Sequence, residues 1–535
     1  MNIFTRYRTA LVLTFCVCIS IFLHTYQYRL PSLNEDEAAQ GYNTYSVLKT
    51  GRDEYGKFPI RYLSFGENKL PLTGFLSAPF IALFGLNEHT VRLPVHLIGI
   101  AMPLLMYQLL ISLFRKRSIG YVGALLTSTN VWIHTLSRHQ HEAVVLLAIV
   151  MLYIIISISF KKKQTMLKGA LLAVLYFLGL YTYHSAKILM PTLALWTFTL
   201  VWNDKKYRLM FLVSIIIATG LFLLTEYLAP NNRVGQLSYF TSSAFIYAIE
   251  DGRQKGGSLL LYNKVSYAIY TVIHRLFYYL SPYFLIWGND ANYRYGDVHI
   301  SLITYLEYFG AVLGLIWCWV KKQPYRIALI GLISVSVVPA IASMSSQTNT
   351  RSYSLVLPII LLASYGLVEL MSYVTNRKIR AALFLVFALI HLSSLYTSWN
   401  YYFYKYFTDP QTQSATQAGM TEVTKIAWSL EKGYKTIYVS NRFGQAYIYM
   451  LMFGGPVDPR KYQQIAKTQP YNEYGFWEQP TFTSKFIFHV PTSEVHDSVV
   501  ILPSEEVQKY PYLASRSHET IASVYHQPFY IYRFD

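Results

Sequence analysis

Apolar runs long enough to cross a bilayer recur along most of this 535-residue sequence. A membrane-spanning helix needs about 20 mostly apolar residues, because a helix satisfies its own backbone hydrogen bonds in hydrocarbon. Hydrophobic residues make up 53% of the chain and charged residues only 14%, a balance that a soluble surface could not easily carry. Disordered, collagen-like and coiled-coil chains need far more charge, glycine or heptad pattern and are excluded. The sequence therefore predicts an α-helical polytopic membrane protein.

The apolar runs predict about eleven spans and two interfacial segments. Pro71–Gly85 is too short to cross, and Tyr267–Trp287 contains His274 and Arg275, so both are predicted to be interfacial helices. The spans are predicted at Thr9–Tyr28, Val91–Phe114, Ile119–Leu136, Ala143–Phe160, Met166–Tyr183, Ile188–Trp202, Leu209–Leu228, Ile303–Val320, Ile327–Met344, Leu355–Val374 and Ala381–Trp399.

Short clusters of lysine and arginine between the spans predict their orientation. With eleven spans all of these clusters lie on one side, which the positive-inside rule places in the cytoplasm together with the N-terminus. The clusters also account for the net charge of +18, so contact with anionic membrane lipids is expected and nucleic acid is not. They are Arg6/Arg8, Arg115–Arg117, Lys161–Lys163, Lys205/Lys206/Arg208, Lys321/Lys322/Arg326 and Arg377/Lys378/Arg380.

Three longer pieces are predicted outside the membrane, namely residues 29–90, residues 229–301 and the tail. We divide the chain into a transmembrane domain, residues 1–400, and a small extracytoplasmic α/β domain, residues 401–535. Hydrophobic patterning in the tail predicts one helix and several short strands. The helix is expected at Thr412–Glu431 and the strands at Thr436–Ser440, Ser484–His489, Ser498–Leu502, His518–His526 and Phe529–Phe534.

Acidic residues open the first long loop, where Asn34 is followed by Glu35, Asp36 and Glu37. Adjacent carboxylates at a membrane surface repel one another, and one of them suits a general base for a substrate hydroxyl. The alternative is a helix N-terminus, since acidic residues there complement the helix dipole. Spacing alone leaves both interpretations open.

Further along the same loop, Glu67 and Lys69 precede the interfacial segment. A lysine at this depth can meet a lipid phosphate as a point charge. It can equally be an ordinary lysine that extends its amine to the interface.

Other predicted outer turns carry cations and polar groups that could meet a substrate. Arginine matches phosphate geometry and would stabilise a phosphate leaving group, although a single loop arginine is usually only a surface charge. Two histidines, His139 and His141, could also bind metal, but an HxH pair alone is weak support for a zinc site. The candidates in these turns are Arg138, Glu142, His184, Lys187, Arg294 and Arg351.

Several short segments follow one another along the chain: Asp36–Ala38, Gly51–Asp53 with Gly56, Lys69–Leu72, Phe84–Gly85, Val91–Pro94, Ser137–Arg138 with Glu142, Gly179–Tyr183 and Gly288–Asn289. In this order they resemble glycosyltransferase family 39 of the GT-C superfamily. That family includes protein O-mannosyltransferases and the bacterial aminoarabinose transferase of lipid A.

The resemblance implies a GT-C-like fold and transfer of a sugar from a polyprenyl-phosphate carrier, with inversion. By position, Asp36, with Glu37 beside it, would be the catalytic base or the group that orients the acceptor, and Lys69 would contact the donor phosphate. Glu142 and Arg351 match further acidic and basic positions of the family. Arg294 and Arg138 are expected at the phosphate as well, and Glu67, His184 and Lys187 near the substrate.

Two departures argue against lipid A modification. Relatives of the aminoarabinose type have an arginine where this chain has Ala39, and two prolines after the lysine where it has Leu70 and Pro71. The C-terminal part also lacks the carbohydrate-binding or trefoil pattern of eukaryotic protein mannosyltransferases. A prokaryotic plasma-membrane hexosyl- or pentosyltransferase with an unidentified glycan, lipid or protein acceptor is therefore expected.

Two other functions would account for part of this pattern. A transporter or flippase of a lipid-linked sugar would share phosphate-binding cations, but it usually places ionisable residues near the midplane of broken helices in repeated halves. A non-catalytic scaffold would leave the outer carboxylates and cations unexplained. The transfer chemistry itself requires no cofactor, and the sequence leaves dependence on a divalent metal open.

Overall fold

The computed structural model describes residues 3–65, 67–230, 238–287, 293–344, 348–442, 444–453, 457–468 and 485–535. Gly288, Asn289 and Ser484, which the sequence analysis singled out, lie outside the described residues.

Seventeen helices precede the tail within this described part of the chain. They are α1 Ile3–Thr25, α2 Glu35–Thr50, α3 Leu72–Phe84, α4 Glu88–Phe114, α5 Arg117–Thr129, α6 Val131–Ser137, α7 Glu142–Lys162, α8 Met166–Leu180, α9 Ala186–Leu200, α10 Lys205–Leu228, α11 Ser243–Gln254, α12 Lys264–Leu280, α13 Pro282–Leu285, α14 Tyr305–Val320, α15 Arg326–Ala342, α16 Val356–Tyr373 and α17 Arg377–Tyr404.

Every predicted span coincides with helix, and one of them is broken. The span predicted at Ile119–Leu136 divides at Asn130, whose backbone is extended and whose side chain caps α6 by accepting from the Ile133 amide. By length and apolar composition, six helices in the described ranges are long enough to cross a bilayer: those in Tyr7–Thr25, Glu88–Phe114, Glu142–Lys162, Lys205–Leu228, Tyr353–Tyr373 and Arg377–Thr408. The protein is an integral membrane protein, and the number of spans stays a prediction.

Most of the helices contribute to one large apolar cluster, and among the six long apolar helices α7 and α16 are the most deeply buried. Small residues let α14 and α16 approach closely, as is typical of helix pairs in membranes. A Cβ atom on Gly366 would lie only 2.2 Å from the carbonyl oxygen of Gly310, so a larger residue there would force the helices apart.

The tail forms the predicted small α/β domain. Its helices are α18 Pro410–Ala415, α19 Met420–Leu430, α20 Ala446–Phe453, α21 Pro459–Thr468 and α22 Pro511–Ala514, and its strands are β3 Thr436–Val439, β4 Phe486–Ile487, β5 Ser498–Pro503, β6 Glu519–Ser523 and β7 His526–Phe534. The sheet order is β4-β3-β5-β7-β6; β3 runs parallel to β4 and β5, and the other pairs are antiparallel. The helix predicted at Thr412–Glu431 is divided into α18 and α19, and α20 and α21 were not predicted.

The first long loop packs directly on this domain. Its helix α2 shares a buried apolar cluster with α20, in which Ala38, Ala39 and Tyr42 meet residues such as Tyr447 and Ile448. The loop also contains a two-stranded hairpin, β1 Tyr62–Ser64 and β2 Glu67–Lys69. The division at residue 400 thus separates two pieces of chain whose cores are in contact.

Candidate functional site

The acidic residues of the first loop form the first turn of α2. Asn34 caps the helix by accepting from the Glu37 amide, and the Glu37 carboxylate accepts from the Asn34 amide in return. Glu35 and Asp36 occupy the remaining positions of this turn. The predicted helix N-terminus is therefore present, and the capping box fixes the direction in which each carboxylate leaves the helix.

Glu37 is buried and held by several donors. Arg92 binds the Glu37 carboxylate through two nitrogens, at 2.7 and 2.6 Å. The backbone amide of Gln140 also donates to this carboxylate, at 2.6 Å. Burial alone would raise the pKa of Glu37, but the Arg92 guanidinium and its hydrogen bonds outweigh burial and hold that pKa below its usual value. Glu37 therefore ties α2 to α4 and to the turn before α7, although it also borders the cavity described below.

Asp36 has a different environment, since 43% of its side chain is exposed. Lys69 contacts Oδ1 of Asp36, and Nη1 of Arg294 donates to Oδ2 at 2.9 Å. Arg294 also contacts Glu35 at 3.2 Å and donates to the carbonyl of Ala415 at 2.8 Å. One carboxylate is thus flanked by two cations, each supplied by a different loop.

The β1–β2 hairpin positions Lys69. Its side chain is only 8% exposed, and its amine lies 4.5 Å from the centre of the Phe65 ring, a cation–π contact. Asn68 of the same strand donates to the carbonyl of Pro230 at 2.9 Å and connects the hairpin to the chain after α10. These contacts place the amine at the N-terminus of α2 rather than in the open solvent.

A cavity of about 370 Å³ opens beside Asp36. It is bordered by the first turn of α2, the turn before α7, the α8–α9 turn and the chain on both sides of residues 345–347. Its polar lining is Asp36, Glu37, Gln40, Lys69, Gln140, His141, Glu142, Thr182, Tyr183, His184, Ser185, Ser238, Arg294, Tyr295, Ser343, Thr350 and Arg351. Seven of the ten predicted site residues meet at this cavity.

Arg351 is the cavity cation with unused hydrogen-bonding capacity. Its Nη1 atom is buried and makes no hydrogen bond within the described residues. The Arg351 side chain as a whole is half-buried and borders the cavity, and the geometry of a guanidinium matches that of a phosphate.

Three predicted site residues lie away from the cavity. Arg138 is buried and donates to the carbonyls of Leu23, Tyr26, Gln27 and Leu30, so it caps the end of α1. Lys187 pairs at 2.7 Å with Glu226, which also meets Arg61. Glu67 lies on β2 opposite Ser64. Their substrate roles stay predictions, and the described contacts of Arg138 and Lys187 hold chain segments together.

The histidines before α7 do not form a metal cluster. His141 caps α7 by accepting from the Ala143 amide, and burial lowers its pKa to about 3. Within the described ranges, no group of three or more His, Cys, Asp and Glu residues is arranged to hold a metal ion.

Sequence reasoning missed a buried carboxylic acid next to the hairpin. Glu54 contacts the Ser64 hydroxyl and accepts from Tyr447 of α20 at 3.4 Å. Burial raises the pKa of Glu54 from its ordinary value of 4.5 to about 8. Nothing in its local sequence signals this, because the groups that bury it come from α20 and β1.

We expect Glu54 to make stability depend on pH. Its native pKa lies above its unfolded value, so the native state keeps a proton that the unfolded chain releases, and the free energy of unfolding falls as pH rises towards about 8. Thermal unfolding in detergent at pH values from about 6 to about 9 should show a smaller loss of stability for Glu54→Gln than for the wild type. The exposed Glu422→Gln should behave as the wild type; equal slopes for all three proteins would contradict the assignment.

No protein-family profile matches the chain, and no curated protein matches it significantly. Solved structures give remote likenesses. The oligosaccharyltransferase of Archaeoglobus fulgidus with a tethered acceptor peptide is 10% identical, with a TM-score of 0.49 over 84% of this chain and 63% of that chain. ArnT from Cupriavidus metallidurans bound to undecaprenyl phosphate is 12% identical, with a TM-score of 0.43 over 97% of both chains.

The chain thus spans less than two thirds of the length of the archaeal oligosaccharyltransferase. ArnT in the apo state gives 10% identity and a TM-score of 0.42 over 98% of both chains. At this distance neither likeness assigns a reaction to the chain.

Proposed function

We propose that this protein is an inverting glycosyltransferase of the GT-C type that moves a sugar from a polyprenyl-phosphate carrier to an acceptor. The reaction takes place at the extracytoplasmic face of a prokaryotic plasma membrane. The observation that carries the proposal is the cavity in which Asp36 meets Lys69 and Arg294, and which Arg351 also lines. A partly exposed carboxylate among cations is suited to accept a proton, while the cations stabilise a phosphate leaving group beside it.

In the proposed step, a nucleophilic hydroxyl of the acceptor attacks the anomeric carbon of the donor sugar. The new carbon–oxygen bond forms on the face opposite the phosphate, which inverts the anomeric configuration. The bond between the anomeric carbon and the phosphate oxygen breaks, and the polyprenyl phosphate leaves with the electron pair. Asp36 takes the proton of the acceptor hydroxyl.

Cations of the cavity stabilise the negative charge that develops on the leaving phosphate. Arg351 supplies a guanidinium group, and Lys69 and Arg294 share their charge between Asp36 and the phosphate. This chemistry does not require a divalent metal.

The cavity wall also suits a lipid carrier. Apolar residues on α9 and α15, namely Ile188, Pro339 and Ala342, border the cavity beside the polar groups. A donor that enters sideways between these helices keeps its tail in hydrocarbon while its phosphate reaches the cations. Two helices lie next to parts of this region: α3 begins three residues after Lys69, and Arg275 of α12 donates to the carbonyls of Ile341 and Ser343. In the proposed reaction they exclude water and limit hydrolysis of the donor.

Replacing Lys69 tests the phosphate assignment. Lys69→Ala should raise the apparent KM for the polyprenyl-phosphate sugar by about 10-fold or more, since a charge-assisted contact contributes roughly 1.5–3 kcal/mol. Initial rates over a range of donor concentrations in detergent micelles measure this change. Lys57→Ala, an exposed lysine of the same loop, is the matched control and should leave KM unchanged. An unchanged KM for Lys69→Ala would count against a phosphate role.

A further inference from the structure

The proposed reaction gives no role to Glu35, the first carboxylate of α2. Its side chain is only 11% exposed, and in the described part of the chain Glu35 does not belong to the cavity lining. Both of its carboxylate oxygens have partners: Oε1 accepts from Nη2 of Arg294 at 3.2 Å, and Oε2 accepts from the backbone amide of Gln445 at 3.0 Å. A residue in this place can act on the cavity through Arg294 rather than by touching a substrate.

Two loops of the tail domain hold Glu35. The side-chain oxygen of Gln417, before β3, accepts from the Glu35 backbone amide at 3.0 Å and satisfies an amide that the first turn of a helix leaves unpaired. Gly444, after β3, packs closely against the Glu35 carboxylate. A Cβ atom on Gly444 would lie 2.2 Å from Oε2 of Glu35, and its φ of +103° also favours glycine. The tail domain therefore fixes both the backbone and the side chain of Glu35.

The guanidinium of Arg294 donates in three directions. Nε donates to the carbonyl of Ala415 at 2.8 Å, Nη1 to Asp36 at 2.9 Å and Nη2 to Glu35 at 3.2 Å. The Glu35 carboxylate therefore offsets part of a positive charge that would otherwise act on Asp36 alone. Because cations beside a carboxylate make it a weaker proton acceptor, this arrangement leaves Asp36 better able to accept a proton.

An amide could not take the place of the Glu35 carboxylate. Both neighbours donate, namely Nη2 of Arg294 and the backbone amide of Gln445. A carboxylate accepts through two oxygens, whereas a glutamine side chain has one accepting oxygen and one donating nitrogen. Whichever way that side chain were turned, its nitrogen would face another donor. Holding Arg294 in its place thus requires the charge and both oxygens of Glu35.

We propose that Glu35 is a positioning residue, through which the tail domain holds Arg294 against Asp36 and limits the positive charge that Asp36 meets; this inference rests on the proposed function. Glu35 affects the transfer without touching the substrate. The tail domain thereby takes part in the transfer step, although none of its described residues lines the cavity.

Glu35→Gln separates this role from a merely structural one. Release of undecaprenyl phosphate from lipids that carry glucose, mannose or arabinose, with an extract of cell-envelope acceptors, should slow by about 10–100-fold at saturating donor, because Arg294 then weakens Asp36 as a proton acceptor. The same variant should bind bare undecaprenyl phosphate about two- to tenfold more tightly than the wild type, because a negative charge beside a cavity cation has been removed. Dissociation constants come from ligand-dependent thermal shifts of the full-length protein in detergent. A substitution that only loosened the fold would weaken binding and lower turnover together.

Arg294→Ala supplies the background in which the effect of Glu35→Gln should disappear. Arg294→Ala itself should bind undecaprenyl phosphate more weakly than the wild type. Adding Glu35→Gln to it should change turnover and binding by less than about twofold, since Glu35 acts through the guanidinium that is now missing. Glu505→Gln is the matched control and should behave as the wild type, since Glu505 pairs with Arg442 at 3.3 Å elsewhere on the tail domain.

Near-normal turnover of Glu35→Gln would overturn the inference, as would lipid binding that is unchanged or weaker. A further loss of turnover of about tenfold in the Arg294→Ala background would overturn it too, because Glu35 would then act independently of Arg294. A wild type that transfers no sugar from any of these lipids would contradict the proposed function. In that case, tighter lipid binding by Glu35→Gln that disappears in the Arg294→Ala background would leave the positioning of Arg294 by Glu35 standing.

Discussion

Asp36→Asn should lower turnover by about 10²–10⁴-fold while the protein remains folded in the membrane. The substitution keeps the size of the side chain but removes the group that accepts the proton. Asp36 is partly exposed and borders the cavity. After its neutralisation Arg294 keeps its contacts with Glu35 and the carbonyl of Ala415, and Lys69 keeps its contact with the Phe65 ring. Turnover is measured as release of free polyprenyl phosphate, quantified by mass spectrometry at saturating donor.

Two further variants make this result specific. Asp36→Glu keeps the carboxylate and should retain part of the activity. Asp251→Asn removes a carboxylate of α11 that pairs with the exposed Lys255, and it should not affect turnover. Near-normal release by Asp36→Asn would eliminate the proton-acceptor role.

Arg351→Ala should lower kcat by about 10²–10³-fold, because it removes a donor positioned for the charge that develops on the leaving phosphate. Its Nη1 atom has no hydrogen bond within the described chain, so this loss should come with little loss of stability. Arg351→Lys should recover only part of the rate, because an ammonium keeps the charge but cannot bind phosphate through two parallel nitrogens. Single-turnover rates with preloaded donor measure the chemical step.

Arg533→Ala is the corresponding control, since that arginine pairs with Glu519 on the exposed β6–β7 hairpin. Its rate should equal that of the wild type. A rate for Arg351→Ala within about twofold of the wild type would contradict a role at the phosphate.

The helices could be predicted from the sequence because each apolar run is itself the cause of the helix. A segment in hydrocarbon must satisfy its own backbone, so length and apolarity are sufficient. In the tail, by contrast, Ala446–Phe453 is a short apolar run, and periodicity cannot tell a buried strand from a buried helix of that length. The start of α21 could have been predicted, because Asp458 precedes Pro459 in the sequence. In the structure Asp458 accepts from the Arg460 amide, as an N-cap residue does.

The candidate site could be predicted only in part from the sequence. Asp36 and Lys69 lie in one loop, and their pairing follows from that loop folding back on itself through the β1–β2 hairpin. Arg294 is 258 residues away from Asp36, and nothing in its own surroundings indicates that it reaches this carboxylate. Arg138 looks in sequence like the other loop arginines, yet it is buried against the end of α1. The residue type determines which chemistry a side chain could perform, whereas only the fold shows which groups that side chain contacts.

Whether a lipid-linked sugar is consumed or merely moved is the most direct test of the account. Proteoliposomes with wild-type protein would receive undecaprenyl phosphate carrying an isotopically labelled sugar, together with an extract of cell-envelope acceptors. We predict that free undecaprenyl phosphate appears in step with labelled sugar on another molecule, and that both products fall together in Asp36→Asn. Donor that changes leaflet while its sugar–phosphate bond stays intact would contradict the transferase and identify a flippase instead.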